Sequence, residues 1–179
     1  LIYDGAFSDH ILNSKAKSLP DKECTQEEAE EYIKNIFGEE KIESIDFRGE
    51  SNGRIDLYLF DVKLKSSQIT RSLSITKKGC KLYLMISDRN VEKENIVMQS
   101  AIDKGMEFLK KVGIDNMQET YYLKTDNMVI INYASKQDGV ILYPDLIKIK
   151  IALDDGEICS FEAQGYTFNH TKRENITPS

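Results

Sequence analysis

From Thr25 onward the spacing of apolar residues switches repeatedly between a period near 3.6 and a period of 2. Thr25-Gln26-Glu27-Glu28 reads as a capping box, in which a hydroxyl and a carboxylate satisfy free backbone donors at a helix start. Ala29, Tyr32, Ile33, Ile36 and Phe37 then fall on one helical face, and Gly38 supplies a stop. Alternation follows. Ile42, Ile45 and Phe47 predict a short strand, Gly49 to Gly53 a turn, and Ile55 to Val62 a second strand. Leu73-Ser74-Ile75 and Leu82 to Ile86 predict a hairpin closed by Lys77-Lys78-Gly79.

The same order then begins again. Asn95 predicts the cap of a second helix with a stripe at Val97, Ala101, Gly105, Phe108, Leu109 and Val112, stopped by Gly113. Strands are expected at Glu119–Leu123 and Met128–Tyr133, and a short one at Gly139–Tyr143 is broken into a bulge or edge by Pro144-Asp145. Ile147 to Leu153 alternates strictly, Asp154-Asp155-Gly156 turns the chain, and Ile158 to Ala163 returns. The helix-ending glycines and the hairpin glycines recur at nearly equal intervals, and Arg173-Glu174-Asn175-Ile176-Thr177 echoes Lys93-Glu94-Asn95-Ile96-Val97. A duplicated unit is therefore expected. The divisions are a lead-in arm at 1–21, a first module at 22–92, a second at 93–171, and the start of a third repeat or a linker at 172–179. Each module reads as one helix on a small antiparallel sheet, an α+β class. A unit of roughly 75 residues has a marginal core, so packing of module on module or on a partner is favoured.

Composition narrows the function. Forty per cent of the 179 residues are apolar and 30% are charged, with a net charge of −6. Basic residues are interleaved with acids, not clustered as phosphate neutralisation requires, which argues against nucleic acid. No apolar run approaches the roughly 18 residues of a membrane span. The chain opens at Leu1 and ends at Ser179, the pattern expected of a fragment whose anchor or export signal lies upstream. Cys24, Cys80 and Cys159 form no metal-binding spacing. They are read as free thiols, with a Cys80–Cys159 bridge as the alternative.

Ser8-Asp9-His10 has the residue types of a hydrolase triad, but adjacent residues rarely converge on one substrate atom. With His10 and His170 the only histidines, a histidine-rich metal site is not expected, and His170 reads as a surface or packing residue beyond the last strand. Asp154-Asp155-Gly156-Glu157 lacks the spaced oxygens of a calcium loop and reads as a tight turn. Glu27, Glu28, Glu30 and Glu31 suit the N-terminal end of a helix dipole, and Glu39-Glu40 an acidic turn. As a carboxylate pair for glycoside hydrolysis they lack a Trp-lined cleft, since the chain has no Trp. No catalytic residue, cofactor or metal site is expected.

Two stretches carry a resemblance. Ile2-Tyr3-Asp4-Gly5-Ala6-Phe7-Ser8-Asp9-His10 is similar to the segment leading into the C-terminal region of the YpeB germination-protein family, with Ala6 standing where a proline is expected. Tyr143-Pro144-Asp145, Ile147 to Glu157 and Phe161 to Tyr166 are similar to the same family, and the repeated unit resembles its PepSY modules. The resemblance implies a non-catalytic germination protein beside a spore-cortex-lytic enzyme of the SleB type, which it would stabilise, localise or restrain. It implies a place at the outer side of the inner spore membrane, with a membrane anchor in an N-terminal region outside this chain. The competing expectations are a PepSY propeptide-like inhibitor of a protease, a peptidoglycan-acting enzyme and a structural repeat. Tyr3, Asp4, Phe7, Asp9 and His10 are the candidate contacts with a partner or between modules.

Overall fold

A computed structural model describes residues 16–67 and 69–171 of the protein. Among the described residues, three α-helices and eight strands follow in chain order: α1 (Gln26–Phe37), β1 (Ile42–Ser51), β2 (Leu57–Leu64), β3 (Thr70–Thr76), β4 (Leu82–Ser87), α2 (Met98–Lys111), β5 (Met117–Thr125), β6 (Met128–Gln137), β7 (Val140–Ala152), β8 (Ile158–Glu162) and α3 (Gln164–Asn169). A 3-10 turn at Glu39–Lys41 joins α1 to β1. The class is α+β. All eight strands join one antiparallel sheet in the order β1-β2-β3-β4-β8-β7-β6-β5. The pair of small separate sheets expected from the sequence is thus one continuous sheet. Its two four-strand runs meet where Leu84 faces Glu162 and Met85 faces Phe161.

The caps explain the helix ends. Thr25 and Glu28 form both bonds of the capping box, at 3.1 and 3.0 Å. Helix α2 starts later than expected: Val97, not Asn95, is the N-cap, and Val97 is 69% exposed instead of lying on the buried stripe. The backbone N–H groups of Asn95 and Ile96 are drawn instead to the Leu153 carbonyl. At its far end Gly113 (φ +92°) donates to Lys110 and Ile114 donates to Leu109, the paired bonds that close a helix through a left-handed residue.

Ala29, Ile33 and Ile36 of α1 and Ala101, Ile102, Gly105, Phe108 and Leu109 of α2 face the sheet. They meet Phe60, Val62, Leu73, Ile75, Met85, Val129, Ile131, Ile147, Ile149, Ile151 and Phe161, so one core runs under both helices. Each such aliphatic side chain contributes about 1.5–3 kcal/mol by burial. Tyr133 donates to the Ile102 carbonyl at 2.9 Å and occupies the space that a side chain at Gly105 would need.

Three further departures have plain causes. Strand β7 runs unbroken through Pro144, absorbing it in a bulge: Ala134 faces Leu146 while Ser135 faces Leu142. Helix α3, not foreseen, packs against that bulge, where Gly165 lets the two backbones approach. The cysteines pair as Cys24–Cys80, neither all free nor as Cys80–Cys159. The lead-in runs antiparallel beside the β3–β4 hairpin through a Glu23–Lys78 bridge, which brings Cys24 opposite Cys80. Cys159 is buried on the other face with Val91 and Ala152.

Candidate interaction surface

Tyr3, Asp4, Phe7, Asp9 and His10, and with them Ser8-Asp9-His10, lie outside the described residues. The functional surface is therefore sought in the sheet. Its two edge strands, β1 and β5, differ sharply.

Strand β1 carries Glu43, Asp46, Arg48 and Glu50, is broken by register shifts at Ile42/Ser44 and Phe47/Gly49, and turns at Gly49 with φ +123°. Arg48 pairs with Asp61 at 2.7 Å, and Glu50 with Lys77. Phe47 packs edge-on against Phe60 at 5.5 Å and against Tyr58 at 6.3 Å. Charges and bulges are among the means by which proteins blunt a sheet edge, and Phe47 itself stays 37% exposed.

Strand β5 has far less of this. It starts buried at Met117, shifts register once between Glu119 and Tyr121, and then runs out exposed on both faces. Tyr121 and Leu123 lie opposite Asn132 and Ile130 on the face away from the helices, whereas Tyr122 lies opposite the buried Ile131 on the helix side. Helix α2 packs over β6, β7 and β8. Tyr121, Tyr122 and Leu123 remain 60%, 49% and 52% exposed. Three successive large apolar side chains on an edge strand are unusual for a free surface. Lys124 pairs with Glu94 at 3.0 Å and flanks the stretch.

Between the edges, beside the Met85–Phe161 contact at the seam where the two strand runs meet, lies a cluster of ion pairs. Arg71, 2% exposed on β3, bonds Glu157 at 2.6 Å. Arg89 reaches Asp154 at 2.6 Å, Asp155 at 2.9 Å and Glu157 at 3.3 Å. The acidic turn is thus a turn, as expected, with its carboxylates committed to arginines from the preceding half. Burial works to raise the Asp155 pKa, but the Glu157 N–H and the Arg89 guanidinium outweigh it and hold the carboxyl below its ordinary value. Burial pushes the Cys159 thiol up, with the Glu157 charge adding to it. A protonated, enclosed thiol is a poor nucleophile.

Tyr32 crosses the same seam: its hydroxyl donates to the Val112 carbonyl at 2.8 Å and accepts from the Leu82 N–H at 3.1 Å. Burial pushes its pKa up to about 12. His170 sits at the end of α3, half-buried, with Nδ1 2.8 Å from the fully buried Asp145 and its ring stacked on Tyr166. It is a packing residue, though on a helix the sequence did not announce. Burial, then the Asp145 charge, pushes Tyr166 up to about 12. A cavity of 110 Å³ lies between α1, α2 and α3. Among the described residues no group of three or more His, Cys, Asp or Glu side chains is placed to hold a metal ion, and no helix is long and apolar enough to cross a membrane.

The fold defines the class first: an α+β protein on a single antiparallel sheet whose chain order repeats a helix and four strands. It is shared with the solved Bacillus megaterium YpeB C-terminal domain, with a TM-score of 0.76 and 24% identity over 88% of this chain and 70% of that one. The chain belongs to the YpeB sporulation family, whose model, describing the PepSY1 and PepSY2 domains, matches residues 1–176. Similar relatives are the sporulation proteins YpeB of Halalkalibacterium halodurans, 28% identical over 162 residues, and of Bacillus subtilis, 26% identical over 163. Each match covers 90% of this chain and 36% of the relative, so the chain spans little more than a third of those proteins.

Proposed function

We propose that the chain is the non-catalytic, partner-binding part of a sporulation protein, and that its partner is a SleB-type spore-cortex-lytic enzyme received along the β5 edge. The carrying observation is that edge itself, which presents Tyr121, Tyr122 and Leu123 to solvent beside backbone groups at the end of the sheet order. Such an edge suits an added strand: main-chain bonds supply affinity, and pockets beside alternating side chains supply selectivity. Family membership supports the sporulation setting. On the same reading residues 22–92 and 93–171 are two PepSY-like modules fused edge to edge through β4 and β8, and the chain works outside the inner spore membrane. The Cys24–Cys80 bridge agrees with an oxidising compartment of that kind.

The test is to mix the chain with a purified SleB-type enzyme and follow both co-elution on a sizing column and muropeptide release from decoated cortex. Co-elution that Tyr121→Lys with Leu123→Lys abolishes is expected; slowed release would assign restraint, and unchanged release stabilisation or localisation. No complex at tens of micromolar, or a complex indifferent to those substitutions, would overturn the assignment.

A further inference from the structure

The Cys24–Cys80 bridge fastens a strap. Residues 16–24 run from α3 to the tip of the β3–β4 hairpin. At one end the Ser18 N–H and hydroxyl donate to the Thr167 carbonyl at 3.1 and 2.8 Å. At the other, Cys24 donates to Lys77 at 2.7 Å, Gly79 donates to Lys22 at 3.0 Å, and the Tyr58 hydroxyl donates to the Cys24 carbonyl at 2.8 Å. Pro20 lies where a side chain at Gly79 would be, 2.6 Å from that Cβ position.

Yet the strap buries little between its ends. Ala16 is buried and Cys24 is partly buried against the core, while Lys17 and Pro20 to Glu23 are exposed. A segment held by surface hydrogen bonds and little apolar contact opens at low free-energy cost unless something else fixes it. Here that is the covalent bond, which closes a loop of 56 residues' separation. Both cysteines are partly exposed at the margin of the core, and Cys80 is held at φ +51°, a conformation few non-glycine residues adopt. Disulfides that are accessible and held in strained surroundings are the ones that exchange. Cys159, by contrast, is enclosed. Beneath the strap, Ser18 closes one wall of the 110 Å³ cavity, whose other walls include Tyr32, Ile114, Tyr166 and His170.

We propose that Cys24–Cys80 is a reducible clasp, a modification site for a dithiol of the thioredoxin class, and that its redox state sets whether the strap stays docked across the hairpin and α3. A thiolate of that partner attacks one sulfur and expels the other. The partner's second thiolate then resolves the mixed disulfide. Two electrons and two protons pass to this chain, which gains two thiols, and the partner leaves as its own disulfide. The strap is then free to lift, and the Ser18 wall of the cavity opens.

The test is hydrogen exchange read by mass spectrometry on the 179-residue chain when oxidised, when reduced by a phosphine, when reduced by thioredoxin, and as Cys24→Ser with Cys80→Ser. Expected is a fall in protection of about tenfold or more at residues 18–24 and at Thr167–His170 in all three bridge-free states, with β5, β6 and β7 unchanged. Protection that survives complete reduction would overturn the proposal, as would loss of protection across the whole sheet, which would make the bridge a staple of the entire fold. Three thiols titrating in the unfolded, unreduced chain would remove the clasp altogether. A bridge that the phosphine reduces and thioredoxin does not would remove the dithiol partner.

Discussion

The two edges of one sheet are finished in opposite ways. Strand β1 spends all but one of its exposed positions on charge, at Glu43, Asp46, Arg48 and Glu50, bends at two register shifts, and leans its one exposed aromatic, Phe47 at 37%, on Phe60. Strand β5 shifts register once and leaves Tyr121, Tyr122 and Leu123 in water. Both strands form the same backbone ladder to one neighbour, so the ladder does not explain the difference. Negative charge and irregular backbone repel an incoming strand, and an apolar edge invites one. The lesson is that half of this molecule's perimeter is built for solitude and half for company, with ion pairs beside the seam bridging the two.

The largest effect should come from breaking those pairs. Arg71→Ala removes the buried partner of Glu157 and is expected to cost about 3 kcal/mol, read by chemical denaturation as a lower midpoint with an unchanged slope. A loss below about 1 kcal/mol would mean that Arg89 alone holds the turn. Next in size is Gly105→Ala. In an ordinary helix it would stabilise, yet here the new Cβ meets the Tyr133 hydroxyl, and overpacking should cost about 1–3 kcal/mol. Smaller still, and aimed at the edges themselves, Phe47→Ala should lower stability by about 1–2 kcal/mol through its lost ring contacts. Tyr122→Ala should stay within about 0.5 kcal/mol. Equal costs at the two positions would erase the contrast.

The seam also predicts a pH response. The Tyr32 pKa is raised from 10.0 to about 12 in the folded chain, so its contribution is complete below pH 10 and is lost as pH climbs towards 12. Alkaline unfolding followed by circular dichroism should fall in that window, and Tyr32→Phe should flatten this part of the profile. An identical profile in the variant would assign the loss to other groups.

Much of this fold is legible in the sequence where information is local. The capping box at Thr25, the glycines at 38, 79, 113 and 156 and the alternation of Ile147 to Leu153 each act within a few residues, and each element appears where they point. What failed was non-local or short. Helix α3 has six residues, less than two turns, and no periodicity to read. The pairing of Met85 with Phe161 joins segments whose sequences carry no trace of each other, so one sheet was read as two. Cys24 reached Cys80 only because the lead-in folds back along a hairpin, a path that its scattered apolar residues do not encode. Arg71, just outside the strand predicted at Leu73-Ser74-Ile75, carried no signal of its burial, because its partner Glu157 lies 86 residues further on. The candidate surface was invisible for the same reason, since alternation reveals a strand but not whether it lies at an edge. The arm at Tyr3 to His10, singled out by resemblance, lies outside the described residues.

The central claim is that the β5 edge, and not the β1 edge, takes a partner. The direct measurement is titration calorimetry of a SleB-type enzyme against the chain, against Tyr121→Lys with Leu123→Lys, and against Phe47→Lys. The account predicts at least about a tenfold loss of affinity, worth about 1.4 kcal/mol, for the β5 variant and an unchanged affinity for the β1 variant. Loss at Phe47 with binding intact at β5 would contradict it.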